Sequence, residues 1–321
     1  MTKTLPDPAR EPDSFSPDWL ALREPADHRA RNDGLVEDMI GHMKTRLANR
    51  PDDEAGMTIV DLGCGTGSTF RALAPALRQA LPDRPQLWVF ADHDARLLER
   101  AKALNGRFMR TALDVASALH PQSGQNRKAA GDRKAPKTEQ IDMVWVECDL
   151  SGTRVLEDLI SRHEADLVTA SALFDLVSDE WLQRLAHALR DAPQPAMLYA
   201  ALNYNGQEQW SPPHPDDAAI LTAFNAHQQT DKGFGPATGG QSMRLATDIF
   251  TQAGFTVSTA DSSWHLDDDT RPLISMLAEG IASAVRQTGD VLPAQCDQWL
   301  AQRKSATRAI IHHEDLLAIS R

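Results

Sequence analysis

Three carboxylates each close a short apolar run. Asp61 ends Met57-Thr-Ile-Val, Asp92 ends Trp88-Val-Phe-Ala, and Asp149 lies just past Met143-Val-Trp-Val. Directly after Asp61 and Leu62 come Gly63, Cys64, Gly65, Thr66, Gly67 and Ser68. Glycines at alternate positions let the chain turn sharply and let a ligand approach backbone that has no Cβ. A carboxylate can attract an ammonium group, accept from both hydroxyls of a ribose, or accept from an exocyclic amine. Asp61 is placed for the first role. Asp92, with His93 beside it, suits the second. Asp149 suits the third, with Leu150 covering the base. Any one of these aspartates also reads as a cap or turn former. Their recurrence at three successive run ends argues for a nucleoside ligand.

The elements that must position them follow from periodicity. Apolar residues at Leu35, Val36, Met39, Ile40, Met43 and Leu47 mark one helical face. From there short apolar strands at 57–62, 86–91, 143–147, 166–170 and 196–202 alternate with amphipathic helices. Ser178 is the expected N-cap of one helix, with Asp179 and Glu180 in its first turn. Further helices lead to strands at 255–260 and 309–319. The expected fold is α/β: a doubly wound, mostly parallel, seven-stranded sheet with helices on both faces, its last strand antiparallel, and helical caps over the site. In such a sheet ligands bind beyond the carboxyl ends of the strands, where the strand order reverses. The expected organisation is a disordered lead-in over 1–17, an N-terminal helical cap over 18–50, and a ligand-binding domain over 51–321. That domain carries a mobile insertion at 121–140 and a cap insertion at about 207–241.

Two ligand classes use a glycine turn of this kind. A dinucleotide fingerprint, Gly-x-Gly-x-x-Gly, would need glycine at 68, where this chain has Ser68. It also has no use for Asp61, whereas an adenosyl sulfonium with its amino-acid ammonium does. Residues 59–68, Asp92 and Cys148-Asp149-Leu150 resemble the successive cofactor motifs of class I S-adenosylmethionine-dependent methyltransferases. The resemblance implies S-adenosyl-L-methionine as cofactor, S-adenosyl-L-homocysteine as product, and contacts to the methionine part, ribose and adenine in that order. Residues 166–171 resemble that family's fourth strand, whose end, Ser171, faces the methyl group. The Asn/Asp-Pro-Pro-Tyr pattern of enzymes that methylate exocyclic amines of bases or glutamine is missing, since the chain reads Ser171-Ala-Leu-Phe-Asp175. No cysteine follows a proline, as cytosine C5 methylation would require.

The formal net charge of −12 argues against a nucleic-acid partner. A small-molecule acceptor with an O, N or C nucleophile is therefore expected. An RNA methyltransferase has only the basic stretch at 127–137 in its favour. A non-catalytic protein that binds S-adenosylmethionine would carry the same motifs. An NAD(P)-dependent oxidoreductase is disfavoured by Ser68 and Asp61. No apolar run is long enough to span a membrane. Cys64, Cys148 and Cys296 are too few and scattered for a disulfide framework and suit a reducing cytoplasm.

Candidates for acceptor chemistry lie past the fourth and fifth strands. Asp175 is the expected base or substrate anchor, or else a helix cap. His227, on the face of Ile220 and Phe224, is a second catalytic candidate, or else a hydrogen-bonded core residue. Asn203 and Tyr204 are expected to touch substrate, although Asn203-Tyr-Asn-Gly206 reads equally well as a turn. Trp210, Phe234 and Trp264 could wall an aromatic acceptor. Arg23, Asp27 and Arg31 recur every four residues, either as a surface ion-pair ladder or as a helix face from which Arg31 meets the cofactor carboxylate. His312-His-Glu-Asp315 looks like a metal cluster, but strand alternation sends His312 and Glu314 to one face and His313 and Asp315 to the other. No metal is expected.

Overall fold

A computed structural model describes residues 16–48, 50, 56–119 and 141–320. The insertion at 121–140 and all but the last two residues of the lead-in lie outside them.

Two helices come first. In α1 (Pro17–Ala30), Ser16 accepts from the Trp19 N–H at 3.1 Å and Pro17 occupies the first turn, where its missing N–H costs nothing. Helix α2 (Asp33–Ala48) buries the stripe Leu35, Met39, Met43 and Leu47. The alternation then runs β1 (Met57–Leu62), α3 (Ser68–Ala80), β2 (Gln86–Asp92), α4 (Ala95–Leu119), β3 (Ile141–Glu147), α5 (Val155–Arg162) and β4 (Leu167–Ser171). A single 3-10 turn, Phe174–Leu176, leads into α6 (Asp179–Asp191), capped by the Ser178 hydroxyl as expected. The remainder is β5 (Met197–Ser211), α7 (Asp217–Gln228), α8 (Ser242–Gln252), β6 (Phe255–Asp261), β7 (Trp264–Leu266), α9 (Arg271–Thr288), α10 (Pro293–Arg303) and β8 (Arg308–Ser320).

The sheet order is β3–β2–β1–β4–β5–β8–β6, with β7 also paired to β8. Strands β3 to β5 are parallel, and β8 runs antiparallel to β5, β6 and β7. The doubly wound architecture and the antiparallel last strand are as expected. The strand number is eight rather than seven, because the three residues of β7 are too few to show a period.

Successive residues of the central strands point into two cores. Val60, Val89, Val168 and Leu198 pack under α5, α6 and α8, while Ile59, Trp88, Leu167 and Tyr199 pack against α2, α3 and α4. Burial on both faces is why these strands read as unbroken apolar runs. A third core lies under α7, α9 and α10, where β5 and β8 extend beyond the parallel strands. Residues 203–206, for which a turn is one of two readings, are instead part of this extension. Its pairing to β8 shifts register between Ala200 and Asn203 and again between Tyr204 and Glu208, with Leu202 (φ 58°) and Gly206 (φ 87°) in the left-handed region. Pairing with β8 outweighs the local turn preference of Asn-Gly. Among the described residues, no helix is long and apolar enough to cross a membrane.

Candidate active site

The strand order reverses between β1 and β4, so the crevice of the sheet opens where Leu62 and Ser171 end their strands. The turn after β1 holds Gly63, Gly65 and Gly67 at φ 61°, 53° and 80°. A side chain at 65 would combine that left-handed backbone with a Cβ 3.3 Å from Leu20 of α1. Asp92 secures the turn from the next strand: one oxygen accepts from the Gly65 N–H at 2.8 Å, the other from the Asp94 N–H at 3.0 Å. Asp94 caps the following helix, accepting from the Arg96 N–H at 2.8 Å. His93 is exposed, its Nδ1 3.4 Å from Asp92. At the neighbouring strand end, exposed Asp149 accepts from the Ser151 N–H at 2.8 Å, and hydrogen bonding from Ser151, by its side chain first and then its backbone, holds the carboxyl below the usual range. Leu150 is buried, and its carbonyl accepts from the Trp181 indole at 2.8 Å.

Between the two central strand ends lies an unusual pair. Asp61 is fully buried; one oxygen accepts from Thr169 Oγ1 at 2.7 Å, and the other, Oδ2, has no hydrogen-bond partner. Burial pushes its pKa up to about 7, against the pull of the Thr169 hydrogen bond and of Arg31. Arg31 caps the C-terminus of α1 and is itself buried. Its Nη2 donates to Ser171 Oγ at 2.9 Å and Thr69 Oγ1 at 3.4 Å, while Nε and Nη1 have no partner. Opposite charges are thus buried near one another, each with open hydrogen-bonding capacity. Leaving such groups unfilled is costly. A zwitterion set between them would satisfy both.

Helix α1 closes over this site through several contacts. Glu24 grips Arg71 of α3 in a two-pronged ion pair at 2.7 and 2.6 Å, and His28 Nε2 lies 3.0 Å from the Ser68 hydroxyl. Asp27 accepts from Arg23 at 2.9 Å and from the Trp264 indole at 3.1 Å. Of the spaced trio, Arg23 and Asp27 form the i, i+4 pair, and Arg31 breaks from the ladder towards the strand ends.

On the far side, the 3-10 turn carries Asp175. It is buried, its Oδ1 has no partner, and burial raises its pKa to about 6, opposed by its own backbone and by Arg23. Asn203 is fully buried and supports that turn, its Oδ1 accepting from the Phe174 N–H at 3.1 Å. Tyr204 is buried with its hydroxyl unpartnered, and its ring lies edge-on to Phe224 at 5.8 Å and to His313 at 6.2 Å. His227 turns towards α9, where Nε2 lies 3.3 Å from Gln287. Trp210 packs edge-on against Trp299 at 5.7 Å in the third core, and Phe234 against Trp181 at 6.0 Å. The structure therefore groups Asp175 and Tyr204, and gives Asn203, His227, Trp210 and Phe234 scaffold partners. Among the described residues, no three His, Cys, Asp or Glu side chains are grouped to hold a metal ion.

Several participants leave little mark in the sequence. Thr169 is the register partner of Asp61 across β1 and β4, a relation visible only once the strands are aligned. Asp315 is fully buried and accepts from Tyr199 Oη at 2.6 Å, the Leu202 N–H at 2.8 Å and the Asn32 N–H at 3.0 Å. It thereby fixes the β5 bulge and the residue after Arg31. In the sequence it stands out only as a member of the apparent metal cluster His312-His-Glu-Asp315, which gives no hint of this role.

The sequence matches no protein-family model and no curated protein. Solved structures with a similar course include the YcgJ protein from Bacillus subtilis, at 12% identity over 89% of this chain and 99% of that one, with TM-score 0.42. YjhP from E. coli is similar at 10% identity over 94% and 99%, with TM-score 0.41. Geranyl diphosphate C-methyltransferase from Streptomyces coelicolor, solved with Mg2+, geranyl-S-thiolodiphosphate and S-adenosyl-L-homocysteine, is similar at 12% identity over 87% and 74%, with TM-score 0.35. Likenesses this distant bear on neither substrate nor mechanism.

Proposed function

We propose that this protein transfers a methyl group from S-adenosylmethionine to a small molecule. The observation that carries the reading is that Asp61 Oδ2 and Arg31 Nε and Nη1 are all buried without partners at the strand switch point. Those groups fit an amino acid's ammonium and carboxylate, and no part of a dinucleotide offers both. In this reading Asp61 holds the ammonium, and Arg31, oriented by Ser171 and Thr69, holds the carboxylate. Asp92 offers its carboxylate to the ribose hydroxyls with His93 at the rim. Asp149 accepts from the adenine amine, and Leu150 covers the ring. Gly63, Cys64, Gly65 and Gly67 supply backbone against which the ligand lies.

Bound S-adenosylmethionine supplies an electrophilic methyl group, so the protein's task is alignment and exclusion of water. Helix α1 does the excluding through Leu20, Glu24 and His28. Asp175, beyond Ser171 at the end of β4, accepts a proton where the acceptor carries one. With its pKa near 6 it is mostly ionised at pH 7 and able to do so.

Calorimetry with S-adenosylmethionine and with NADH tests the ligand class, and S-adenosylhomocysteine formation across a panel of small acceptors tests turnover. Asp175→Asn should lower turnover and leave cofactor affinity within about twofold. Binding of NADH without S-adenosylmethionine would overturn the proposal.

A further inference from the structure

We infer that Asp175, Tyr204 and His313 form an acceptor subsite that takes a flat, neutral or cationic molecule bearing an N–H or O–H donor, and that excludes anions. The inference rests on the methyl-transfer function proposed above and names the class of its second substrate.

The three residues come from separate elements: the 3-10 turn after β4, β5 and β8. Tyr204 of β5 and His313 of β8 are register partners, with ring centroids 6.2 Å apart. The turn that carries Asp175 is tied to β5 beside Tyr204, Asn203 Oδ1 accepting from the Phe174 N–H at 3.1 Å, and Arg23 of α1 acts electrostatically on both Asp175 and His313. All three are more than nine-tenths buried, at 7%, 6% and 6% exposure. Each keeps one polar atom without a partner: Asp175 Oδ1, Tyr204 Oη and His313 Nδ1. Three orphaned polar atoms, two on register partners and the third on the turn tied to the same strand, are more than folding alone explains, because buried polar groups are nearly always hydrogen-bonded.

The chemistry of these atoms limits what can satisfy them. An ionised carboxylate only accepts. Burial, helped by Arg23, pushes the His313 pKa down to about 3, so the ring is neutral and one of its nitrogens is an acceptor. The tyrosine hydroxyl does either. The set therefore asks chiefly for donors. An anion would find the nearby cation, Arg23, already bound to Asp27 at 2.9 Å and stacked over Trp264 at 5.1 Å. Beyond the three residues, Asp261 acts electrostatically on His313 and adds negative charge, while burial lifts the pKa of the Glu208 carboxyl to about 7. The surroundings are rings: Tyr204 meets Phe224 at 5.8 Å, and His313 meets Trp264 at 4.9 Å. Ring edges and faces suit a planar guest.

The subsite is joined to the cofactor residues by backbone. His313 lies two positions from Asp315, whose carboxylate binds Tyr199 and Leu202, and Asp175 lies four positions beyond Ser171, which accepts from Arg31. A guest on the three residues would thus lie next to the site proposed for the cofactor's reactive end.

The test uses full-length protein saturated with S-adenosylhomocysteine and three probes of one shape: benzylamine, benzyl alcohol and benzoate. Ring-labelled histidine reports on His313, its resonance assigned by its loss in His313→Gln. Benzylamine and benzyl alcohol should shift that resonance saturably, and benzoate should bind at least tenfold more weakly. Asp175→Asn should weaken benzylamine tenfold or more while leaving S-adenosylhomocysteine affinity within twofold. Tyr204→Phe, which preserves the packed ring, should weaken benzyl alcohol threefold or more and covers the case in which Asp175→Asn does not fold. Benzoate binding as tightly as benzylamine, no shift of His313 with any probe, or folded variants with unchanged affinities would overturn the inference while leaving methyl transfer standing. Failure of S-adenosylhomocysteine to bind would overturn both.

Discussion

Replacing Asp61 with asparagine separates what this carboxylate costs the fold from what it does for a ligand. Burial raises its pKa from 3.8 to about 7 in the folded protein. At about 1.4 kcal/mol per unit, the fully ionised group costs the ligand-free fold on the order of 4 kcal/mol. The folded state holds the proton more tightly than the unfolded one. That stabilisation is therefore complete below the unfolded value of 3.8 and is lost as pH rises to the folded value of about 7. Asparagine keeps the shape and can still accept from Thr169, without the charge. The ligand-free Asp61→Asn variant should melt several degrees above the parent at pH 8, the gain shrinking as pH is lowered towards 4. Ligand binding should move the other way. If an ammonium needs ionised Asp61, roughly a tenth of the parent is competent at pH 6 and about nine-tenths at pH 8, so S-adenosylhomocysteine should bind roughly tenfold more weakly at pH 6. The variant should lose that pH dependence and bind about ten- to a hundredfold more weakly at pH 8. Differential scanning fluorimetry and calorimetry read the two effects. A variant that melts lower at pH 8 and binds as before would refute the reasoning, because Asp61 would then serve the fold and not a ligand.

Other expectations follow from single contacts. Asp92→Ala frees the Gly65 N–H and removes the proposed ribose acceptor, so cofactor binding should weaken by roughly 1–3 kcal/mol in a calorimetric titration. Asp315→Ala strands the Tyr199 hydroxyl and the Leu202 and Asn32 N–H groups, and should cost roughly 3 kcal/mol or more in urea unfolding, with Asp315→Asn recovering part of it. Gly67→Ala places a Cβ at φ 80° and 2.6 Å from Asn105, and should destabilise by about 1–2 kcal/mol even if that side chain swings away.

How much of the molecule is legible in its sequence depends on range. The strand–helix alternation is readable because both faces of the central strands are buried and each run ends in a turn or cap. The glycine turn and the aspartates at 61, 92 and 149 are readable because they are local to those ends. The turn reading of Asn203 to Gly206 fails because nothing local announces that β8, more than a hundred residues later, pairs with it. The same distance hides Asp315, whose three donors come from β5 and from the junction of α1 and α2. Arg31 stands out by its place on a helix face, yet its partners Thr69 and Ser171 lie 38 and 140 residues away. His313 reads as one member of an improbable metal cluster. Alternation does part those side chains, and the face that receives His313 is the one lined by Tyr204 and Trp264.

A crystal structure of the protein soaked or grown with S-adenosylhomocysteine tests the central claim most directly. The account predicts the ligand's ammonium within hydrogen-bonding distance of Asp61 Oδ2 and its carboxylate on Arg31 Nε and Nη1, with α1 closed above. A ligand seated with its amino-acid end elsewhere, or Asp61 and Arg31 still unpartnered beside it, would contradict it.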